Sequence, residues 1–319
     1  YILSIVRPAE FKSASALVNA FKYITNYYRV KANIPYWNYI EGLERCGGYQ
    51  DVVASDFDDE VAKWVKEKPK PAWFMSRFKK TIRKVIAKIS QGNRREYLSP
   101  WEWTGKVGEW MTSGAVDVHL GHYQGLKIPK TKTAAAFFMK HREVYELMQK
   151  WSSGSNVAVP KRELSKVRAI ITSDFGTYLK MAYISYFIEE DMRGSELSTL
   201  FMNKQQTLEM WEKLSKLLPE LRFPLDQGNF DQNISADMII ETISALKEFY
   251  VPRYPHLHQW FDKVLYAVKH GKITLYGGNK IKWEGGILSG WRWTALLDTI
   301  INLGQIWSAR DEYEERYGI

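Results

Sequence analysis

Asp226 and Asp231 stand five positions apart in the run Leu-Arg-Phe-Pro-Leu-Asp-Gln-Gly-Asn-Phe-Asp that starts at Leu221. The run reads as a short strand ending at Asp226, a turn through Gly228, and then a helix from about Ile234 to Tyr250. A carboxylate at a strand end suits Mg²⁺, a hard cation that takes oxygen donors and keeps several waters. The plainer alternative is that Asp231 caps the following helix and Asp226 is merely exposed. Upstream, Lys166 and Arg168 alternate ahead of an apolar run, which puts two cations on one face of a strand. An Arg fork and a Lys point charge suit a triphosphate, although surface strands commonly carry such pairs. Downstream, Gly-Gly-Ile-Leu from Gly285 leads through Ser289 and Gly290 into a helix containing Thr294, Asp298 and Asn302. Glycine permits close approach of a ribose or a backbone, and a helix start offers free N–H groups. An ordinary helix-entry loop has the same composition.

These residues need elements to position them. From Lys63 to Arg95 the chain is crowded with Lys and Arg, with Glu67 the only acid in the run. Pro69 and Pro71 break any helix there. Beyond them Trp73, Phe74, Phe78, Ile82, Val85, Ile86 and Ile89 recur at three- and four-residue steps, predicting an amphipathic helix with a basic outer face. That face, with Lys79, Lys80, Arg83 and Lys84, would attract phosphates through counterion release, or serve simply as a solvated surface. A second helix is predicted from Thr133 to Trp151, with Phe137, Phe138, Val144, Leu147 and Met148 turned inward. Ser152 to Asn156 reads as a loop, reinforced by Pro160. From Lys161 onward short apolar runs alternate with helices, and Lys272 to Trp283 reads as a hairpin turning at Gly277-Gly278-Asn279. The fold class expected is α+β.

The chain of 319 residues has 45 Lys plus Arg against 36 Asp plus Glu, a formal charge of +9, which favours an anionic partner. Thirteen Trp and 19 Tyr give faces on which bases could stack, or simply fill a large core. The single cysteine, Cys46, excludes an internally disulfide-stapled scaffold and reads as a structural thiol. No apolar run approaches the ~18–20 residues of a membrane span. A phosphate-binding Walker loop, a dinucleotide fingerprint and a Gly-x-Ser-x-Gly nucleophile motif are all absent. His119 with His122, and His256 with His258, lack the Cys pair or acidic partner that zinc would need.

The order of these pieces is more telling than any one of them. LDQGNFDQNIS resembles motif A of viral RNA-dependent RNA polymerases, GGILSGWRWTALLDTIIN resembles their motif B, and KVRAII looks like motif F. The form of motifs A and B looks closest to double-stranded RNA viruses, picobirnaviruses first and partitiviruses next. The resemblance covers about Lys161 to Asn302. It implies a right-hand fold in which a small antiparallel palm sheet is backed by helices and surrounded by fingers. Residues 1–160 would be N-terminal and fingers, 161–220 fingers with motif F, and 221–250 palm with motif A. Residues 251–284 would form a helix and hairpin insertion, and 285–319 palm with motif B. Asp226 would be catalytic and hold Mg²⁺, with Mn²⁺ as an alternative. Asp231 would sense the ribose 2′-hydroxyl, joined by Thr294 and Asp298. Ser289 and Gly290 would form a mobile loop that tracks template and nucleotide, and Lys166 and Arg168 would face the triphosphate. Lys79, Lys80, Arg83 and Lys84 would lie along an RNA path.

Two departures stand out. Many relatives have Asn where this chain has Asp298, and the Gly-Asp-Asp of motif C is absent. The expectation is a fragment of an RNA-directed RNA polymerase that ends before motif C and is inactive alone. Its partners would be template and product RNA, nucleoside triphosphates and a viral capsid protein, in host cytoplasm or the virion interior. The competing expectations are a non-catalytic basic RNA-binding protein, or one half of a split polymerase.

Overall fold

A computed structural model describes residues 52–163, 166–217 and 228–318 of the chain. Asp226, Cys46 and the strand expected before Gly228 lie outside the described residues. The first helix among the described residues, α1 (Ala54–Val65), is followed by an extended Lys- and Pro-rich stretch, and α2 (Ala72–Ile89) starts immediately after Pro71. Phe78, Ile82, Val85, Ile86 and Ile89 of α2 are buried, as their spacing requires. Trp73 departs from the expectation. It sits in the first turn, at the edge of a cavity shared with the end of α10, and is 59% exposed.

The single helix expected from Thr133 to Trp151 is two helices, α4 (Lys132–Phe138) and α5 (His141–Gln149), after the short α3 (Pro100–Gly105) and the hairpin β1 (His122–Tyr123) and β2 (Leu126–Lys127). Met139 and Lys140 between them are extended, and the Glu143 carboxylate accepts the Lys140 N–H at 2.7 Å, starting a new helix. The break turns Phe137 and Phe138 outward, while Val144 and Met148 remain buried.

Strands β3 (Ser155–Glu163) and β4 (Lys166–Thr172) form an antiparallel hairpin. β5 (Lys272–Thr274) and β6 (Lys280–Lys282) form the hairpin expected over Lys272 to Trp283, closed by Gly278 at φ 91°, whereas the first hairpin takes up Ser155, Asn156 and Pro160, which were expected in a loop. The four join in the order β4-β3-β5-β6, and the β3–β5 pair is parallel. The sheet is therefore mixed rather than wholly antiparallel, because the chain returns through helices before adding β5 alongside the start of β3. Its described strands belong to the two hairpins.

Helix α6 (Phe175–Met192) is buried on nearly every side, and its few charged residues include the buried Lys180 and Asp191. The Asp174 carboxylate caps it by accepting the Thr177 N–H at 2.8 Å. α5 and α9 (His258–Lys269) flank α6. The peripheral α7 (Lys204–Ser215) has no buried residue. α8 (Ala236–Tyr250) begins at a Ser235 cap, close to the predicted start. Both α8 and α10 (Thr294–Tyr317) pack on α2, where Gly304 of α10 lets Phe78 and Ile82 approach. Among the described residues, no helix is long and apolar enough to cross a membrane.

Candidate nucleotide site

The site is built where the loop before α10 meets the end of β4. The loop is anchored from below by backbone: Gly286 N–H donates to Ile234 O at 2.8 Å and Ile287 N–H to Asp231 O at 2.8 Å. Trp283 Nε1 donates to Gly286 O at 2.9 Å, and Ile287 and Leu288 are buried. From there the chain runs beside β4. Ser289 Oγ accepts the Ile171 N–H at 3.2 Å, and Gly290 N–H donates to Ile171 O at 2.9 Å. A Cβ at Gly290 would lie 2.6 Å from Ile171 O and 2.7 Å from Thr172 Cα, so only glycine fits. The close approach that this glycine permits is made to the backbone of β4.

Beyond the loop, Trp293 is buried and donates from Nε1 to Met181 O and Ser185 Oγ of α6, both at 3.0 Å. Arg292 forms an ion pair with Glu189. Thr294 Oγ1 donates to Leu288 O at 2.8 Å, closing the loop onto the first turn of α10. Its hydroxyl is thereby engaged by the loop itself.

One turn into α10, Asp298 meets Asp231, which sits in a 3₁₀ turn (Phe230–Asn233) after Gly228. The helix cap is Ser235, whose Oγ accepts the Met238 N–H, so Asp231 does not take that role. The two acids lie near enough to feel each other's charge. Burial, and then the neighbouring Asp231 charge and hydrogen bond, push Asp298 up to about 7. Burial also raises Asp231. Asp298 Oδ1 is buried with no hydrogen-bond partner among the described residues.

Lys166 begins β4, and Arg168, two positions on, is exposed. The structure thus unites Asp231 with Asp298, and Ser289 and Gly290 with the strand carrying Arg168.

A cavity of about 450 Å³ opens beside this junction, lined by Thr112, Lys132, Ser173, Tyr178, Ser289 and Arg292 among others. Lys132 is buried there, its Nζ 3.8 Å from the Tyr178 ring centroid and 3.4 Å from Ser113 O. Burial, with Arg292 nearby, lowers Lys132 to about 8. Sequence reading missed Lys132 and Arg292. The usable signal was slight: Lys132 follows a Thr131 cap, on a helix with no acid to pair with it.

Of the four α2 cations expected along an RNA path, Lys79, Arg83 and Lys84 lie near acids of this chain. Arg83 pairs with Glu241 at 2.6 Å and Glu248 at 2.8 Å. Lys79 and Lys84 lie 3.8 Å from Glu241 and Asp311 and remain 55% and 65% exposed. Lys80 is exposed. His256 is packed among Tyr97, Phe187 and Tyr254, and burial lowers its pKa, as befits an uncharged core histidine. No group of three or more His, Cys, Asp or Glu side chains is arranged to hold a metal among the described residues.

Comparison with known proteins bears on this arrangement. A family model described as viral RNA-directed RNA-polymerase matches residues 5–313. A protein named probable RNA-directed RNA polymerase, from Giardia lamblia virus (isolate Wang), is 23% identical over 265 residues. The match covers 79% of this chain and 14% of that relative's length.

Proposed function

The chain belongs to the viral RNA-directed RNA polymerase family, and from that premise we propose that it carries the nucleotide-selecting part of an enzyme that copies RNA from an RNA template. The reaction is nucleotidyl transfer from a nucleoside triphosphate to an RNA 3′-hydroxyl. The observation that supports this reading is the meeting of Asp231 with Asp298 beside a Ser289-Gly290 loop stitched to the motif F strand. Three segments far apart in sequence converge there, in the order that the motifs suggest.

Within this reading each residue has a physical task. Arg168 and Lys166 neutralise the incoming triphosphate, since phosphoryl transfer is mostly positioning and charge compensation. Asp231 and Asp298 face the sugar, and Thr294 acts through the loop, holding Leu288 so that Ser289 and Gly290 keep their register. Lys132 and Arg292 give a phosphate of the RNA strand a cationic seat beside that loop. Lys79, Lys80 and Lys84 extend the basic track over α2, whereas Arg83 mainly ties α2 to α8.

A carboxylate oxygen is the donor a hard cation prefers, so Asp226 fits Mg²⁺, or Mn²⁺ in its place, by its chemistry. The cation, when bound, stabilises the attacking and leaving oxygens of the displacement. The remaining ligands, the palm and fingers assignments and any capsid contact belong to this proposal too, as does a place in the host cytoplasm or virion.

The test is primer extension on an RNA template by the polymerase that contains this chain. Asp226→Ala is expected to abolish Mg²⁺-dependent extension while RNA binding persists. Undiminished extension by that variant would overturn the reading and leave a basic RNA-binding protein in its place.

A further inference from the structure

We propose that the arm built around β1 and β2, together with the junction of α4 and α5, is an accessory platform for single-stranded RNA. An unpaired base stacks there against Phe138 and Tyr123, while Lys127, Lys130 and Lys140 hold the phosphates. The inference takes from the proposed function only that the anion is RNA, and it uses none of the residues of the candidate nucleotide site. Its first support is charge. From Val118 to Arg142 the chain carries Lys127, Lys130, Lys132, Lys140 and Arg142 and no Asp or Glu. Arg142 pairs with Glu146 at 2.7 Å, whereas Lys127, Lys130 and Lys140 are exposed and form no ion pair among the described residues.

The second support is the way the arm is built. It is rooted at an antiparallel bridge between Ala115 and Thr131, and Val116 N–H donates to Lys130 O at 3.0 Å. Further out, Ile128 N–H donates to Gly121 O at 3.1 Å, and β1 pairs with β2 as far as Tyr123 and Leu126. Gln124 and Gly125 close the tip at φ 50° and 79°, two successive left-handed residues of the tight turn that suits the strand twist. Val116 and Ile128 are buried and hold the root to the body. No further described strand joins this sheet, and a two-stranded ribbon is marginal by itself. The tip is steadied by Tyr123, whose ring lies 5.6 Å from that of Phe138.

The third support is what this contact leaves open. Tyr123 remains 56% exposed and Phe138 45%, because the helix break at Met139 turns the end of α4 outward. Beside Phe138, between the arm and α5, lies a cavity of about 340 Å³ lined by His119, Leu120, Leu147 and Lys150 among others, a size at which small ligands are held. Its two acids are already engaged, Glu143 by the Lys140 N–H at 2.7 Å and Glu146 by Arg142. Exposed rings beside unpaired cations suit single-stranded nucleic acid, since phosphates take the charge and every base has a face to stack. In a duplex those faces are already covered by neighbouring bases. An acidic protein surface would satisfy the lysines alone, whereas the cleft at Phe138 favours a ligand that brings a flat ring with each charge, as RNA does.

The test is binding of a fluorescently labelled, unstructured oligouridylate by the 319-residue chain, with an RNA duplex of the same length as control. Tyr123→Ala combined with Phe138→Ala should weaken single-strand binding at least about fivefold, the loss of one stacked base, and leave duplex binding unchanged. Phe138→Trp keeps a stacking face and should retain the affinity. Replacing Lys127, Lys130 and Lys140 by Ala should reduce the slope of log affinity against log salt by about 2. On the unaltered chain, a thiouridine-substituted strand should photo-cross-link to Tyr123 or Phe138. Single-strand affinity unchanged by the double replacement overturns the platform and leaves the patch to a protein partner. Equal losses for strand and duplex, or cross-links confined to other segments, overturn it as well. In the polymerase that contains this chain, Asp226→Ala should leave this binding intact, so a failed extension assay and a failed platform are read separately.

Discussion

Ser289 Oγ receives the Ile171 N–H across 118 positions of sequence, and Gly290 returns a hydrogen bond to Ile171 O at 2.9 Å. The loop before α10 is thereby stitched to β4 as a short extra pairing, and a parallel bridge links Thr172 with Gly290. Replacing Ser289 by Ala removes one acceptor and should cost about 1 kcal/mol. Gly290→Ala should cost more, about 1–3 kcal/mol, because its Cβ meets backbone atoms that cannot swing away. Thermal unfolding of the two variants checks the order, and a Gly290→Ala as stable as the parent would show the stitch to be loose.

The Asp231–Asp298 pair makes stability depend on pH in a stated direction. Asp298 is raised, so the folded chain binds more protons than the unfolded chain between about pH 4 and about 7. Its contribution is therefore fully present at acid pH and is lost as pH rises through about 7. Asp298→Asn should flatten that part of a denaturation profile. Identical profiles for parent and variant over this window would mean that the pair holds no extra proton.

Lys132 has the opposite linkage. Its depressed value, about 8, means that keeping it charged at neutral pH costs stability, a cost that builds as pH falls from the ordinary lysine range to about 8 and is fully present below that. Lys132→Met should leave the thermal midpoint at pH 7 unchanged or raise it. RNA affinity should fall about tenfold or more, the loss of one charge-assisted contact. Unaltered RNA affinity would remove the phosphate from this cavity.

On α2 the cations should separate into two kinds. Arg83 bridges Glu241 and Glu248, so Arg83→Ala should lower stability while the salt dependence of RNA binding stays near that of the parent. Lys79, Lys80 and Lys84 are exposed and loosely held, so replacing all three by Ala should reduce the slope of log affinity against log salt by about 2. A slope unchanged by the triple replacement would confine α2 to a structural role.

What the sequence determined by itself was local. The start of α2 after Pro71, the end of α8 at Tyr250, the strand β4 and the turn at Gly278 follow from proline geometry, apolar periodicity and glycine conformation, all of which act within a few residues. The motif order likewise pointed to the family before any coordinate did. The sequence also implied, by resemblance, that Asp231 and Asp298 belong to one site.

Tertiary structure decided the rest, because packing and burial act between residues remote in sequence. A helical periodicity continued past Met139, yet the Glu143 side chain restarted the helix and turned Phe137 and Phe138 to solvent. The charge pattern of α2 could not say that Arg83 would be spent on acids of α8. Asp191 is an unremarkable acid in sequence, but in the fold it is fully buried, bonded by Ser90 Oγ at 2.6 Å and the Tyr250 hydroxyl at 2.7 Å, with Arg253 at 3.3 Å. Lys132 became a buried cation only when α4 and α6 closed around it. Asp298 is pushed up only because the fold buries it and brings the turn at Asp231 near α10. Desolvation and like-charge proximity are properties of the assembled fold, and no residue type carries them alone.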